Sequence, residues 1–109
     1  MLEFARKHFE ITSEPYEKHL LRLSSHDDTW LRSCAILQLG ELGRTELRQP
    51  VIDALQADDP VLRETAILAL KNLIPGHLYR RALRQQIANK SFPTVGRYAQ
   101  AQLEAAARS

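Results

Sequence analysis

The sequence contains nearly the same phrase twice. DDTWLRSCAILQL begins at Asp27, and DDPVLRETAILAL begins at Asp58, 31 residues later. Over the aligned windows 27–42 and 58–73, nine of sixteen positions are identical. A period of about 20–50 residues indicates a stacked repeat, because one unit cannot bury its apolar face without a neighbour. This repeat restricts the possible folds more than any other feature of the chain.

Each unit is predicted to be a pair of helices. In the first copy, apolar residues recur every three or four positions, which is the helical period. Asp28 and Asp59 are placed to cap the two first helices, and Gly43 is placed to end the earlier one. A second helix is predicted over residues 44–57, where Pro50 should bend the helix or delay its start. The repeated unit is therefore a helical hairpin.

The hairpins are expected to form a single domain over residues 1–109. The clear repeats are 27–57 and 58–90, and degenerate flanking helices are predicted over 2–25 and 94–109. We count about seven helices, or three to four hairpins. Solenoids normally end in polar capping repeats. Neither end of this chain has a clear cap, so we expect the domain to be part of a larger protein.

Composition narrows the cellular setting. Cys34 is the single cysteine, which excludes an internal disulfide, and its apolar neighbours indicate a small core residue. No apolar stretch approaches the ~18 residues of a membrane span, and the charged N-terminus does not resemble a signal peptide. We therefore expect a cytoplasmic domain without membrane insertion, with the soluble part of a membrane-associated protein as a variant.

The phrase Asp-Asp-x-x-Leu-Arg-x-x-Ala-Ile-Leu-x-Leu, followed in its first copy by Gly40-Glu41-Leu42-Gly43, resembles HEAT-like repeats. It is most similar to the short variety named after phycobilisome lyases. The resemblance implies an all-α fold, a right-handed α-solenoid with first helices on the convex side and second helices lining the concave side. It also implies that Asp27, Arg32, Asp58 and Arg63 are structural residues that tie adjacent turns together. Members of the family serve as chromophore-lyase subunits, enzyme adaptors, and modules of signalling or transport proteins.

No residue pattern in the chain predicts chemistry. The four histidines lack metal-ligand spacing, and no glycine-rich phosphate loop is present. The paired carboxylates at 27–28 and 58–59 are already explained by capping. We therefore predict no catalytic residue, no metal, no cofactor and no enzyme activity.

The charge distribution suggests a binding surface. Between Ile74 and Leu103 there are five basic residues and no acidic one, whereas residues 1–54 hold seven basic and nine acidic side chains. If second helices line the concave side, a stripe of arginines faces inward there. The candidate partner-binding residues are Arg22, Arg48, Arg80, Arg81 and Arg84. The alternative is that these arginines lie on ordinary solvated helix faces without a partner.

Trp30 replaces Val61 between the copies. Because aromatic bulk is usually buried, we expect Trp30 in a core or half-core position. The alternative is an exposed anchor for a partner.

The sequence favours a non-catalytic protein–protein interaction scaffold with a concave surface. A variant of this prediction is a regulatory domain of a larger signalling or transport protein. The first alternative is binding of nucleic acid or another anionic ligand through the basic stretch 80–97. The second is a subunit related to chromophore lyases, which no cysteine-plus-acid constellation supports. A homodimer through the terminal hairpins is also compatible with the sequence.

Overall fold

The computed structural model describes residues 15–108 and is all-α over that range. Six α-helices and one short 3-10 turn follow in order: α1 (Tyr16–Leu23), α2 (Thr29–Leu42), the 3-10 turn (Thr45–Leu47), α3 (Gln49–Ala54), α4 (Pro60–Leu70), α5 (Gly76–Ala88) and α6 (Pro93–Arg108). The predicted helix in residues 2–11 lies outside the described residues. The prediction of an all-α solenoid of tandem hairpins is confirmed.

The predicted start and stop residues delimit the first helices of the repeats. Asp28 and Asp59 are the N-cap residues of α2 and α4, and each side chain accepts at least one backbone hydrogen bond. Gly43 ends α2 in the left-handed conformation, with φ of 65°. That φ is strained for residues with a Cβ atom, so glycine suits this position. The boundaries of the repeat are therefore encoded locally.

Pro50 delays the second helix of the first clear repeat, as predicted. The chain leaves α2, makes the 3-10 turn, and enters α3 at Gln49 with Pro50 in its first turn. A proline is tolerated there because the first N–H groups of a helix have no intrahelical partner. As a result α3 has only six residues, compared with thirteen in α5.

The helices form two layers. The first helices of successive units, α2, α4 and α6, pack side by side. The second helices lie against them: α1 on α2, α3 on both α2 and α4, and α5 on α6. One hydrophobic core runs through the stack, and its most completely buried large side chains are Leu20, Ile36, Leu39, Ile67, Leu70, Leu73 and Leu83.

Three alanines mark the common register of the first helices. Ala35, Ala66 and Ala99 all have 0% exposure. They lie at equivalent points of α2, α4 and α6, each facing the core. Thus α6 belongs to the same layer as α2 and α4, although it lacks the Asp-Asp phrase.

Candidate partner-binding surface

The two aspartates of each repeated pair have different surroundings. Asp28 Oδ1 accepts hydrogen bonds from the backbone N–H groups of Trp30 and Leu31, at 2.9 and 3.2 Å. Asp59 Oδ1 accepts one from Leu62, at 3.0 Å. Within residues 15–108, the side chains of Asp27 and Asp58 make no hydrogen bond or ion pair. The second aspartate of each pair therefore performs the capping.

The repeated arginines bind the main chain of the preceding turn. Arg32 Nε donates to the carbonyl oxygen of Ser24 at 3.0 Å, and Arg63 Nε donates to that of Ala57 at 2.6 Å. In both units, a guanidinium on a first helix is joined to the turn that follows the preceding second helix. The acceptors are backbone oxygens, and neither hydrogen bond involves Asp27 or Asp58.

Arg63 is the more deeply placed of the two arginines. It is only 7% exposed, and its guanidinium lies 5.0 Å from the centre of the Phe92 ring. Its NH1 atom is 3.4 Å from Gln86 Oε1, and Gln86 Nε2 donates to the carbonyl of Leu55 at 2.8 Å. A buried cation of this kind is tolerated because two of its nitrogens donate hydrogen bonds and its face lies over an aromatic ring. These contacts connect α3, α4 and α5.

The arginines that were predicted to form a stripe lie in different environments. Arg22 is exposed on α1, with NH2 3.2 Å from His19 Nδ1. Arg48 precedes α3 and donates from NH1 to the carbonyl of Thr45 at 2.8 Å. Asp53 on α3 is exposed, and its carboxylate accepts a hydrogen bond from Gln49 at 2.8 Å. Arg22 and Arg48 are thus both engaged in local contacts.

The exposed arginines on α5 form the clearest candidate surface. Arg81 and Arg84 lie three residues apart on the solvent side of α5, and Arg80 is half-buried beside them. Leu78, one turn before Arg81, is 39% exposed. Among residues 15–108, neither Arg81 nor Arg84 makes a hydrogen bond or an ion pair. We call Leu78, Arg81 and Arg84 the α5 face.

Trp30 is exposed, so the expectation of a core or half-core position is wrong. Its exposure is 55%, and Val61, its equivalent in the next unit, is 56% exposed. Both residues are the second residue of their helix, on the side away from the buried register alanines. Burial of aromatic bulk is only a tendency, and here the position in the first turn overrides it.

Two surface clefts lie next to the turns that connect one hairpin to the next. One, of about 240 Å³, is lined by residues that include Leu21, Ser24, Arg32 and Asp53. The other, of about 480 Å³, lies between the end of α5 and the first turns of α6. The second cleft was not anticipated from the sequence.

The profile of the HEAT-repeat family matches residues 17–104, which covers most of the chain and all of the hairpins described above. The chain belongs to the HEAT-repeat family. HEAT repeats generally mediate protein–protein interactions and generally act as non-catalytic scaffolds. A search of curated proteins found no match to this chain. The closer likeness to the phycobilisome-lyase variety stays a prediction.

No chemistry is evident in the described part of this HEAT-repeat chain. Residues 15–108 contain no group of three or more histidine, cysteine or carboxylate side chains that could hold a metal ion. Over the same residues, no helix combines the length and the apolar character needed to cross a bilayer. Cys34 is buried, as predicted, and its burial raises the pKa of its thiol. A thiol in this state is a poor nucleophile.

Sequence reasoning missed Gly96, which forms part of the larger cleft. The missed signal is the spacing Val95, Ala99, Leu103 in α6, which matches Leu62, Ala66, Leu70 in α4. This alignment places Gly96 at the position of Arg63. The offset is 33 residues instead of 31, and this change of period conceals the equivalence from a fixed-period comparison.

Proposed function

We propose that this HEAT-repeat chain is a non-catalytic protein-interaction module, and that it binds its partner through second helices on the concave side of the stack. The α5 face is the centre of this surface. The general role of HEAT repeats in protein–protein interactions supports an interaction module. The specific support comes from how the arginines are used.

Most arginines earlier in the stack are already engaged. Arg32 and Arg63 bind backbone carbonyls. Arg44 forms ion pairs with Glu17 and Glu46, and Glu46 has a lowered pKa because of its own backbone N–H and the Arg44 guanidinium. These side chains stabilise the molecule internally and have fewer donors to offer a partner.

The α5 face is different, and this observation carries the proposal. Arg81 and Arg84 are exposed and unpaired within residues 15–108, with the apolar Leu78 one turn away. Free arginines next to exposed apolar surface resemble the composition of protein interfaces, where arginine is enriched and supplies several donors at once. The partner surface it would fit carries carboxylates around a small apolar patch.

Affinity capture from native lysate tests the proposal, with wild type compared with Arg81→Glu/Arg84→Glu. We expect a discrete protein bound by wild type and lost in the variant. The matched control is Lys71→Glu/Arg108→Glu, which makes the same change in net charge at exposed positions outside the α5 face. The control should keep the captured protein.

Two outcomes contradict the proposal. Equal loss in both variants would mean that overall charge, and not the α5 face, attracts the captured protein. Capture of nucleic acid that is released as salt rises would favour the alternative of phosphate binding.

A further inference from the structure

The first helices of the stack share one position that meets the preceding turn. Counting back three residues from the buried alanines Ala35, Ala66 and Ala99 gives Arg32, Arg63 and Gly96. In α2 and α4, the residue at this position is an arginine that binds the carbonyl of the turn before it. In α6 it is a glycine without a side chain.

In the middle unit, three segments meet at this position. Arg63 occupies the centre, Ala57 belongs to the preceding turn, and Gln86 comes from the second helix of the same hairpin. The arginine and the glutamine together fill the space between α4 and its neighbours, and both are buried.

The same position in α6 is open. A Cβ atom added at Gly96 would meet no heavy atom within 4 Å. The cleft of about 480 Å³ opens here, between the end of α5 and the first turns of α6. The volume occupied by Arg63 and Gln86 in the preceding hairpin is therefore unfilled beside Gly96, and we call this space the Gly96 cleft.

The lining of the Gly96 cleft combines apolar surface with positive charge. Ile87 and Pro93 supply apolar atoms, and Lys90 and Arg97 supply two cations. No lining residue is acidic. The nearest carboxylate that follows on α6 is Glu104, which accepts a hydrogen bond from Gln100 at 3.2 Å. A complementary ligand would place an apolar side chain in the cleft and carboxylates against the two cations.

The positive charge of the Gly96 cleft favours a different protein over a second copy of this chain as its occupant. If two copies of the chain met at this end, Lys90 and Arg97 of one copy would face the same two cations of the other, because a two-fold interface pairs identical patches. Such a contact juxtaposes like charges. An acidic segment of a different protein avoids this repulsion.

We propose that the Gly96 cleft binds an acidic amphipathic helix of a partner protein. The helix lies beside α6, and one of its apolar side chains enters the Gly96 cleft. This cleft is equivalent to the space that Arg63 and Gln86 fill in the preceding hairpin. Its flanking carboxylates pair with Lys90 and Arg97. The proposal rests on the proposed function, since it assumes a protein-binding module, but it uses residues outside the α5 face.

The test is a titration of the full chain with a synthetic helical peptide, followed by two-dimensional amide NMR spectra. The peptide carries leucines on one face and glutamates elsewhere, and a matched peptide has lysine in place of each glutamate. We expect the acidic peptide to shift amide signals around Ile87, Lys90, Gly96 and Arg97. The basic peptide should not bind.

The decisive variant is Gly96→Arg, which restores the repeat arginine and fills the cleft. Filling the cleft should weaken binding of the acidic peptide, whereas the added positive charge should strengthen it. The variant therefore shows which of the two effects dominates. We expect binding of the acidic peptide to weaken at least about tenfold. Replacing a glycine inside a helix favours folding, so this variant should remain folded.

Charge reversal provides the second comparison. Lys90→Glu/Arg97→Glu should abolish binding of the acidic peptide, whereas Lys71→Glu/Arg108→Glu should retain it, since Lys71 and Arg108 do not line the cleft. Arg81→Glu/Arg84→Glu should also retain binding. This last variant separates the two proposals, because it disrupts the α5 face and leaves the Gly96 cleft intact.

Three results would overturn the inference. Unchanged or tighter binding by Gly96→Arg would show that surface charge alone attracts the peptide. Equal binding of the acidic and basic peptides would remove the basis for an acidic partner. Self-association of wild type in sedimentation experiments, abolished by Gly96→Arg, would assign the cleft to a second copy of this chain.

Discussion

Gly40 on α2 lies directly against the backbone of Ala69 on α4. A Cβ atom added at Gly40 would lie 2.6 Å from both the Cα and the Cβ atoms of Ala69 and 2.9 Å from its carbonyl oxygen. No side-chain rotation can relieve contacts with these atoms. The two first helices therefore approach each other at a distance that requires glycine at position 40.

Gly40→Ala should lower the free energy of unfolding by about 1–3 kcal/mol, because the added methyl group forces α2 and α4 apart. Urea denaturation measures this change. Gly96→Ala is the matched control, since the space around Gly96 is open. Removing a helix-interior glycine should stabilise the control by about 0.5–1 kcal/mol. Equal stability of Gly40→Ala and wild type would contradict the close approach.

Arg63→Met should destabilise the protein by about 1.5–3 kcal/mol, since it removes charge-assisted donors from the half-buried carbonyl of Ala57 and from the buried Gln86. Arg32→Met should lower the free energy of unfolding less, because Arg32 is half-buried and makes a single such bond. Chemical denaturation of both variants gives the order. A larger loss for Arg32→Met would contradict the greater contribution expected from the more deeply buried Arg63.

The aspartate pairs allow a comparison within each repeat. Asp28→Ala and Asp59→Ala should each lower stability by about 1 kcal/mol, because each removes an N-cap acceptor. Asp27→Ala and Asp58→Ala should stay within about 0.5 kcal/mol of wild type, as is usual for exposed positions. Thermal or urea unfolding of the four variants distinguishes the members of each pair. Equal losses at the first and second aspartates would show that the first ones also contribute to the fold.

Tyr79 should make the protein sensitive to alkaline pH. Burial raises the pKa of Tyr79, and the charge of Tyr98 raises it further. Because the folded pKa lies above the unfolded value of about 10, the folded state holds this proton more firmly. The resulting stability is fully present below about pH 10 and is lost as the pH rises through the folded pKa.

Tyr79→Phe removes this titration and isolates its contribution. Between about pH 9 and pH 11, the stability of wild type should fall more steeply than that of the variant. Urea denaturation at several pH values gives both slopes, and Tyr98, whose pKa burial also raises, is present in both proteins. Parallel slopes would mean that Tyr79 does not contribute.

The features predicted correctly from the sequence act through neighbouring backbone. Asp28 and Asp59 cap the helices that they precede, Gly43 supplies a left-handed residue, and Pro50 delays α3. Each effect depends on one or two turns of chain. The 31-residue period then placed α2 and α4 in equivalent positions, and the stacking of hairpins followed.

The features that were missed depend on how helices lie against one another. Hydrophobic bulk alone predicted burial for Trp30, but its position in the first turn of α2 leaves it exposed. Arg48 was assigned to a helix that begins one residue later. Gly96 carries no pattern of its own, and its meaning comes from the cleft beside it. The contact of Gly40 with Ala69 joins residues on separate helices that no local motif relates.

The hydrogen bonds of Arg32 and Arg63 to main-chain carbonyls affect which sequence changes such a repeat protein can accept during evolution. A carbonyl oxygen is present whichever residue occupies the turn, and the two acceptors here belong to a serine and an alanine. The connection between units therefore does not depend on the side chain of the residue that supplies the carbonyl. Whole hairpins could be duplicated, exchanged or grafted from other proteins, provided that each incoming unit brings its arginine and leaves the previous turn in place.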